Sequence, residues 1–151
     1  MLRRIFLRFT ALAAASAVIV PQVNAADFRN TRPDTWTAHS IDDAIKALYG
    51  DISVIKSGIT ITTPKLARNG AAIPVNVFSK IQAKSLAIFQ NANPEAAVAV
   101  FTLGEGAILD YDIKIKMGNS GTIIAIVEGL DGKFYQGTRV LEVALGGCDG
   151  S

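Results

Sequence analysis

The sequence predicts a β-sandwich with one helix at its N-terminal edge. Apolar residues alternate at period two in several short runs between Ile59 and Met117, three further short runs are apolar throughout, and Gly, Asn and Pro punctuate them all. One stretch of helical periodicity precedes these runs.

In "SIDDAIKALYG", Ile41, Ala44, Ile45, Leu48 and Tyr49 recur at the spacing of one helical face. Ser40 suits the N-cap, Asp42 and Asp43 suit the positive end of the helix dipole, and Gly50 suits the stop, so a helix is expected over about 40–50. Beyond it the period becomes two. "GITITTP" alternates Ile59 and Ile61 with threonines, "AIPVNVF" alternates Ile73, Val75 and Val77, and "YDIKIKM" alternates Tyr111, Ile113, Ile115 and Met117 with charged residues. "KSLAIFQ", "AAVAVFTL" and "GTIIAIVEG" are continuously apolar, as central strands of a sandwich are. Asp131-Gly132 lies between two β-rich runs and signals a tight hairpin, because both residues tolerate positive φ. The last strand is expected from about Thr138 to Leu145, leading straight into Gly146. No internal repeat or second domain is visible.

The first 25 residues read as an export signal: Arg3, Arg4 and Arg8, an apolar middle from Ala11 to Val20, and small residues at Val23 and Ala25 before a cut at Ala26. The apolar stretch is shorter than the about 20 residues a membrane span needs. The paired arginines match the twin-arginine type of signal, so a periplasmic protein is expected. Removing residues 1–25 leaves 126 residues, enough for one domain over 26–145. It also takes away three of 15 basic residues and none of 13 acidic ones, leaving 12 against 13, a formal charge of −1. No basic excess remains to argue for nucleic acid or an anionic membrane as partner.

Few side chains offer chemistry. His39 stands alone, without H-x-x-H, C-x-x-C or EF-hand spacing, and reads as a solvated or hydrogen-bonded loop histidine. Trp36 reads as packing on the core. Asp110 and Asp112 flank Tyr111 at strand period and share one outward face, with no histidine or metal ligand beside them. The glycines of "LGEGA" and "GNSGT" lack the strand–glycine–helix context of a phosphate loop and read as turns.

Cys148 is different. It is the one cysteine of 151 residues, it follows the last predicted strand, and Gly146, Gly147 and Gly150 surround it. No intrachain disulfide is open to it, and apolar neighbours that would bury it are missing. Residues 146–151 form an arm reaching up to about 20 Å at ~3.3 Å per residue, thin enough to carry a thiol into a narrow channel of another protein. That describes a carrier holding substrate covalently on Cys148. Two other readings of the residues stand beside it. One is an exported sandwich that binds a protein partner and uses Cys148 for an intermolecular disulfide. The other is a thiol enzyme such as a peroxidase, which needs positive charge or a resolving cysteine that the tail does not supply.

"GGCDGS" after a strand, together with "RNGAAIPVNV", "NANPEAAVAVFTL" and "IKIKMGNSGTIIAIVEGLDGKFYQGTRVLEVALGGC", resembles the SoxY family, the sulfur-carrying subunits of the periplasmic thiosulfate-oxidising (Sox) system. The resemblance runs from about Ile59 to the tail. It implies an immunoglobulin-like sandwich paired with a smaller SoxZ-like β subunit. It implies a c-type cytochrome that joins thiosulfate oxidatively to the cysteine as Cys–S–S–SO₃⁻, a dimanganese hydrolase that releases sulfate, and, where present, a sulfur dehydrogenase that oxidises the remaining sulfane sulfur. Cys148 inherits the covalent attachment, and Gly146, Gly147 and Gly150 inherit the arm. Haem and metal belong to the partners, so no cofactor is expected here, and the chain is a non-catalytic subunit. The sequence departs from the family's Gly-Gly-Cys-Gly-Gly ending at Asp149 and Ser151. Asp149 sets a negative charge beside the thiol, which disfavours the thiolate and repels an anionic substrate.

Overall fold

The computed structural model describes residues 26–144. Two sheets face each other as an immunoglobulin-like sandwich, and a helix covers the outer side of the larger one. The strands are β1 (Val54–Ile55), β2 (Ile59–Thr62), β3 (Leu66–Ala67), β4 (Ile73–Ser79), β5 (Ala83–Gln90), β6 (Ala97–Thr102), β7 (Leu109–Ile115), β8 (Gly121–Gly129) and β9 (Phe134–Val143). The large sheet runs β1-β9-β8-β5-β6, with β3 also on β9, and the small one runs β2-β4-β7. The principal pairings are antiparallel. The two-residue strands β1 and β3, unsignalled by any periodicity, run parallel to β9 at its two ends.

The helix forms where expected, over Ile41–Tyr49. Ser40 Oγ accepts from the Asp43 N–H at its start, and Gly50 ends it at φ +80°, a conformation that costs glycine little. A four-residue turn of helix, Phe28–Thr31, and a 3₁₀ turn, Pro33–Trp36, occupy the lead-in, where no helical period is long enough to be seen. Asp27 caps the first of them through the Arg29 and Asn30 N–H groups.

The continuously apolar runs have a cause beyond their central place. Leu86 and Ile88 of β5 and Ile123, Ala125 and Val127 of β8 face the small sheet. Ala87, Phe89 and Ile126 face Ala44 and Leu48 of the helix on the other side. A strand buried on both faces has no polar side to show. The small sheet keeps one face wet, and its strands alternate: Ile73, Val75 and Val77 point inward, while Pro74, Asn76 and Phe78 point outward. Pro74 is tolerated because β2 pairs β4 only from Asn76 onward. Where β2 crosses β9, a side chain at Gly137 would stand 2.8 Å from Ile59, so only glycine permits the approach.

The hairpin expected at Asp131-Gly132 forms, and the start of the strand after it is corrected. β9 begins at Phe134, four residues earlier than expected, because Glu128 pairs with Phe134 and the hairpin needs only residues 130–133. Of the turn residues only Gly132 takes positive φ, at +78°. Asp131 instead accepts from the Lys133 N–H and the Tyr135 hydroxyl, and those two bonds hold its carboxyl below the usual range.

A polar chain locks the helix to the large sheet. Tyr49 Oη donates to Ser85 Oγ at 2.8 Å, Ser85 donates to Glu128 at 3.2 Å, and the Tyr49 ring packs on Phe134. Burial pushes the Tyr49 phenol from 10.0 up to about 12, the bond to Ser85 acting the other way. A raised pKa means that the neutral phenol's contribution is complete below pH 10 and is lost as pH rises toward 12. The loss is about 2–3 kcal/mol. Tyr49→Phe is expected to cost about 1 kcal/mol at neutral pH. Because the variant lacks the alkaline loss, urea unfolding at intervals up to pH 12 should show its deficit shrink and then reverse.

Candidate functional site

Gly146, Gly147, Cys148, Asp149 and Gly150, expected to form the arm, lie outside the described residues, as does the leader. What the structure places is the root from which the arm departs. Leu141 and Val143, the last inward-facing residues of β9, are buried in the core between the sheets. β8 holds one edge of β9 as far as Leu141, opposite Gly121. β3 holds the other edge: the Glu142 N–H reaches the Lys65 carbonyl at 3.4 Å, and the Ala144 N–H donates to the Ala67 carbonyl at 2.9 Å.

Ser120 completes the clamp, its hydroxyl accepting from the Val143 N–H at 2.9 Å. Nothing in "GNSGT" distinguishes that serine from an ordinary turn residue, so its role was not legible in the sequence. β3 was missed for a related reason: two residues cannot show a period. The chain is therefore held up to Ala144, and Cys148 stands four positions further along the sequence. Four steps of fully extended chain span at most about 13 Å.

An open depression of about 300 Å³ lies at the root, lined by Gly70, Ala71, Lys116, Met117, Gly118, Val143 and Ala144. Lys65 and Arg68 flank β3 beside it, so the surface around the root carries more positive than negative side chains, with Glu142 the one carboxylate on the adjoining part of β9.

The other candidates are scattered. His39 is exposed, with Nδ1 2.9 Å from the Pro94 carbonyl, the hydrogen-bonded loop histidine expected. Trp36 is half-buried but packs on the N-terminal segment and not on the core: its Nε1 donates to the Phe28 carbonyl, and the Arg29 guanidinium lies 4.4 Å over its ring. Asp110 and Asp112 share the exposed face of β7, where both accept from Asn76 Nδ2, at 2.8 and 3.1 Å. "LGEGA" and "GNSGT" are turns. Among the described residues no three His, Cys, Asp or Glu side chains converge, and no helix is long and apolar enough to cross a membrane.

The sequence model of the family described as "Sulfur oxidation protein SoxY" matches residues 45–148, a span that includes Cys148. The solved structure of the sulfur carrier protein SoxY from Chlorobium limicola f. thiosulfatophilum is similar at 30% identity and TM-score 0.63, covering 70% of this chain and 96% of that one. A superoxide reductase (neelaredoxin) from Ignicoccus hospitalis is similar at 14% identity and TM-score 0.53, over 59% of this chain and 82% of that one, a likeness of fold alone. No curated protein matches.

Ser120→Ala leaves the Val143 N–H without its partner and should cost about 1–2 kcal/mol in urea unfolding, with faster amide exchange at Val143 and Ala144. Cys148→Ser should stay within the ~0.5 kcal/mol of a surface change.

Proposed function

The chain belongs to the SoxY family of sulfur oxidation proteins, and from that premise we propose that it is a non-catalytic sulfur carrier, holding thiosulfate-derived intermediates on Cys148 and presenting them to partner enzymes. The observation that carries the reading is the family match over residues 45–148, which reaches the single cysteine just beyond a strand clamped to Ala144. A rigid root and a short glycine-flanked tail give a thiol with a defined origin and a wide choice of directions.

The proposed cycle needs little of this chain beyond that thiol. The Cys148 thiolate and thiosulfate form Cys–S–S–SO₃⁻ with loss of two electrons, which a c-type cytochrome partner accepts. Water supplied at a dimanganese hydrolase then releases sulfate and leaves the sulfane sulfur on the cysteine, and a sulfur dehydrogenase, where present, oxidises it. Haem and manganese belong to those partners. A smaller SoxZ-like β subunit accompanies the chain, and the leader places it in the periplasm by the twin-arginine route.

Asp149 modifies the first step. A carboxylate at ~6 Å from an incoming anion repels it by about 0.7 kcal/mol at the dielectric of water, and more where the partner's channel excludes water. Lys65, Arg68 and Lys116 around the root offset part of that field for a tail lying close to the domain.

Intact-mass measurement of the chain purified from its own periplasm tests the reading. Added sulfur or thiosulfate mass on Cys148 is expected, and only a reducible dimer mass would transfer Cys148 to the disulfide role. With a thiosulfate-conjugating cytochrome, Cys148→Ser should abolish loading. Asp149→Gly should speed it severalfold, by about tenfold if the relief reaches 1.4 kcal/mol in the transition state.

A further inference from the structure

The loop "NANPEA", residues 91–96, joins β5 to β6 and is longer than an antiparallel connection needs. Gln90, at the end of β5, organises it from within. Only 1% of that residue is exposed; its Oε1 accepts from the Ala92 and Asn93 N–H groups at 2.6 and 2.7 Å, and its Nε2 donates to the Glu95 carbonyl at 2.7 Å. Water does not compete for bonds buried in this way. On the helix side the Ala96 N–H donates to the Ala38 carbonyl and His39 Nδ1 meets the Pro94 carbonyl, both at 2.9 Å. The loop is braced at both ends.

From this brace two asparagines reach the turn between β7 and β8. Asn93 Nδ2 donates to the Lys116 carbonyl at 2.6 Å, and its Oδ1 accepts from the Gly118 N–H at 2.9 Å. The two bonds have opposite sense, so one orientation of the amide satisfies both, and they are the bonds a residue of a parallel strand would make around Met117. Asn91 Oδ1 accepts from the Thr122 N–H at 2.8 Å. Gly118 and Thr122 are both held, and Ser120, which clamps Val143, stands midway between them. The clamp from β3 converges on the same turn: the Met117 N–H donates at 2.9 Å to the carbonyl of Gly70, three positions beyond the end of β3. Gly70 lies so close that a side chain there would collide with the Met117 carbonyl and stand 3.1 Å from Val143.

We infer that Asn93 is a positioning residue of the carrier arm, acting through Ser120 and Gly70 to fix the residue from which the arm departs. Both holds on the end of β9, Ser120 on one side and β3 on the other, lean on residues 116–122, and Asn93 ties that segment to the braced loop. When the tie is lost, the last firmly held residue of β9 becomes Leu141, opposite Gly121 in β8. From there to Cys148 is 148 − 141 = 7 steps of chain, against 148 − 144 = 4 from Ala144. At ~5–6 Å × √n the root-mean-square reach grows from about 11 Å to about 15 Å. The concentration of thiol at a docked partner's site falls roughly as the −3/2 power of that length, about twofold. The effect on transfer rests on the carrier reading of Cys148, whereas the place where the arm begins does not.

The test uses the chain expressed with its leader, so that it is exported and processed. Spin labels on Cys148 and at Thr138→Cys report the distance distribution of the arm, and amide exchange reports Val143 and Ala144. In Asn93→Ala the distribution should widen by about a third, and exchange at both amides should quicken about tenfold. Asn93→Asp keeps the acceptor for Gly118 but loses the donor to Lys116, and should fall between Asn93→Ala and the parent. Asn91→Ala gives up one bond, should shift both readouts in the same direction, and decides the matter if Asn93→Ala does not fold. Tyr49→Phe, a weakening on the helix away from the root, should move neither. With a thiosulfate-conjugating cytochrome, Asn93→Ala should load about twofold more slowly, while Cys148 reacts with a small soluble disulfide at an unchanged rate. Unchanged distances and exchange in the folded asparagine variants, or equal changes in Tyr49→Phe, overturn the inference. If the parent chain takes up no sulfur at all, the carrier reading fails, and the distances still decide where the arm begins.

Discussion

Ile123, Ala125, Ile126 and Val127 of β8 show no surface to water, and Ser85 to Gln90 of β5 show none of consequence. Strands with two apolar faces need two covers, and everything else in the domain is disposed to supply them. The small sheet closes over Leu86, Ile88, Ile123, Ala125 and Val127, and the helix closes over Ala87, Phe89 and Ile126. A buried leucine such as Leu48 contributes roughly 1.5–3 kcal/mol, so a nine-residue helix too short to stand alone is stable only because β5 and β8 lie beneath it. The Tyr49–Ser85–Glu128 chain adds direction to that apolar contact, fixing which end of the helix meets which strand.

β9 turns this rigidity to use. It lies against β8 along its length and receives β1 and β3 at the two ends of its other edge, so its order extends to Ala144. The proposed carrier role needs such an origin, because reach is measured from the last held residue. The clamp at that point is made of backbone bonds and one serine hydroxyl. These groups are chemically inert, which suits a carrier whose reactivity is confined to one side chain.

The same sandwich occurs in a superoxide reductase at 14% identity, so the architecture does not determine the chemistry. In this chain the span matched by the family model runs past the end of β9 to Cys148.

The sequence alone determined the helix from Ser40 to Gly50, the alternating strands β2, β4 and β7, the turns around the glycines and the isolation of Cys148, because each is written in local periodicity, capping chemistry or composition. It also carried the family resemblance. Only the tertiary structure decided why β5 and β8 are apolar throughout, since a strand covered by a helix and one buried by a second sheet have the same composition. It likewise placed β1 and β3, whose two residues each acquire strand geometry solely by lying beside β9, and it moved the start of β9 to Phe134 through pairing with Glu128. Ser120 became part of the arm's root for the same reason. Its hydroxyl meets Val143, 23 residues away, and a contact of that separation leaves no local mark in the chain.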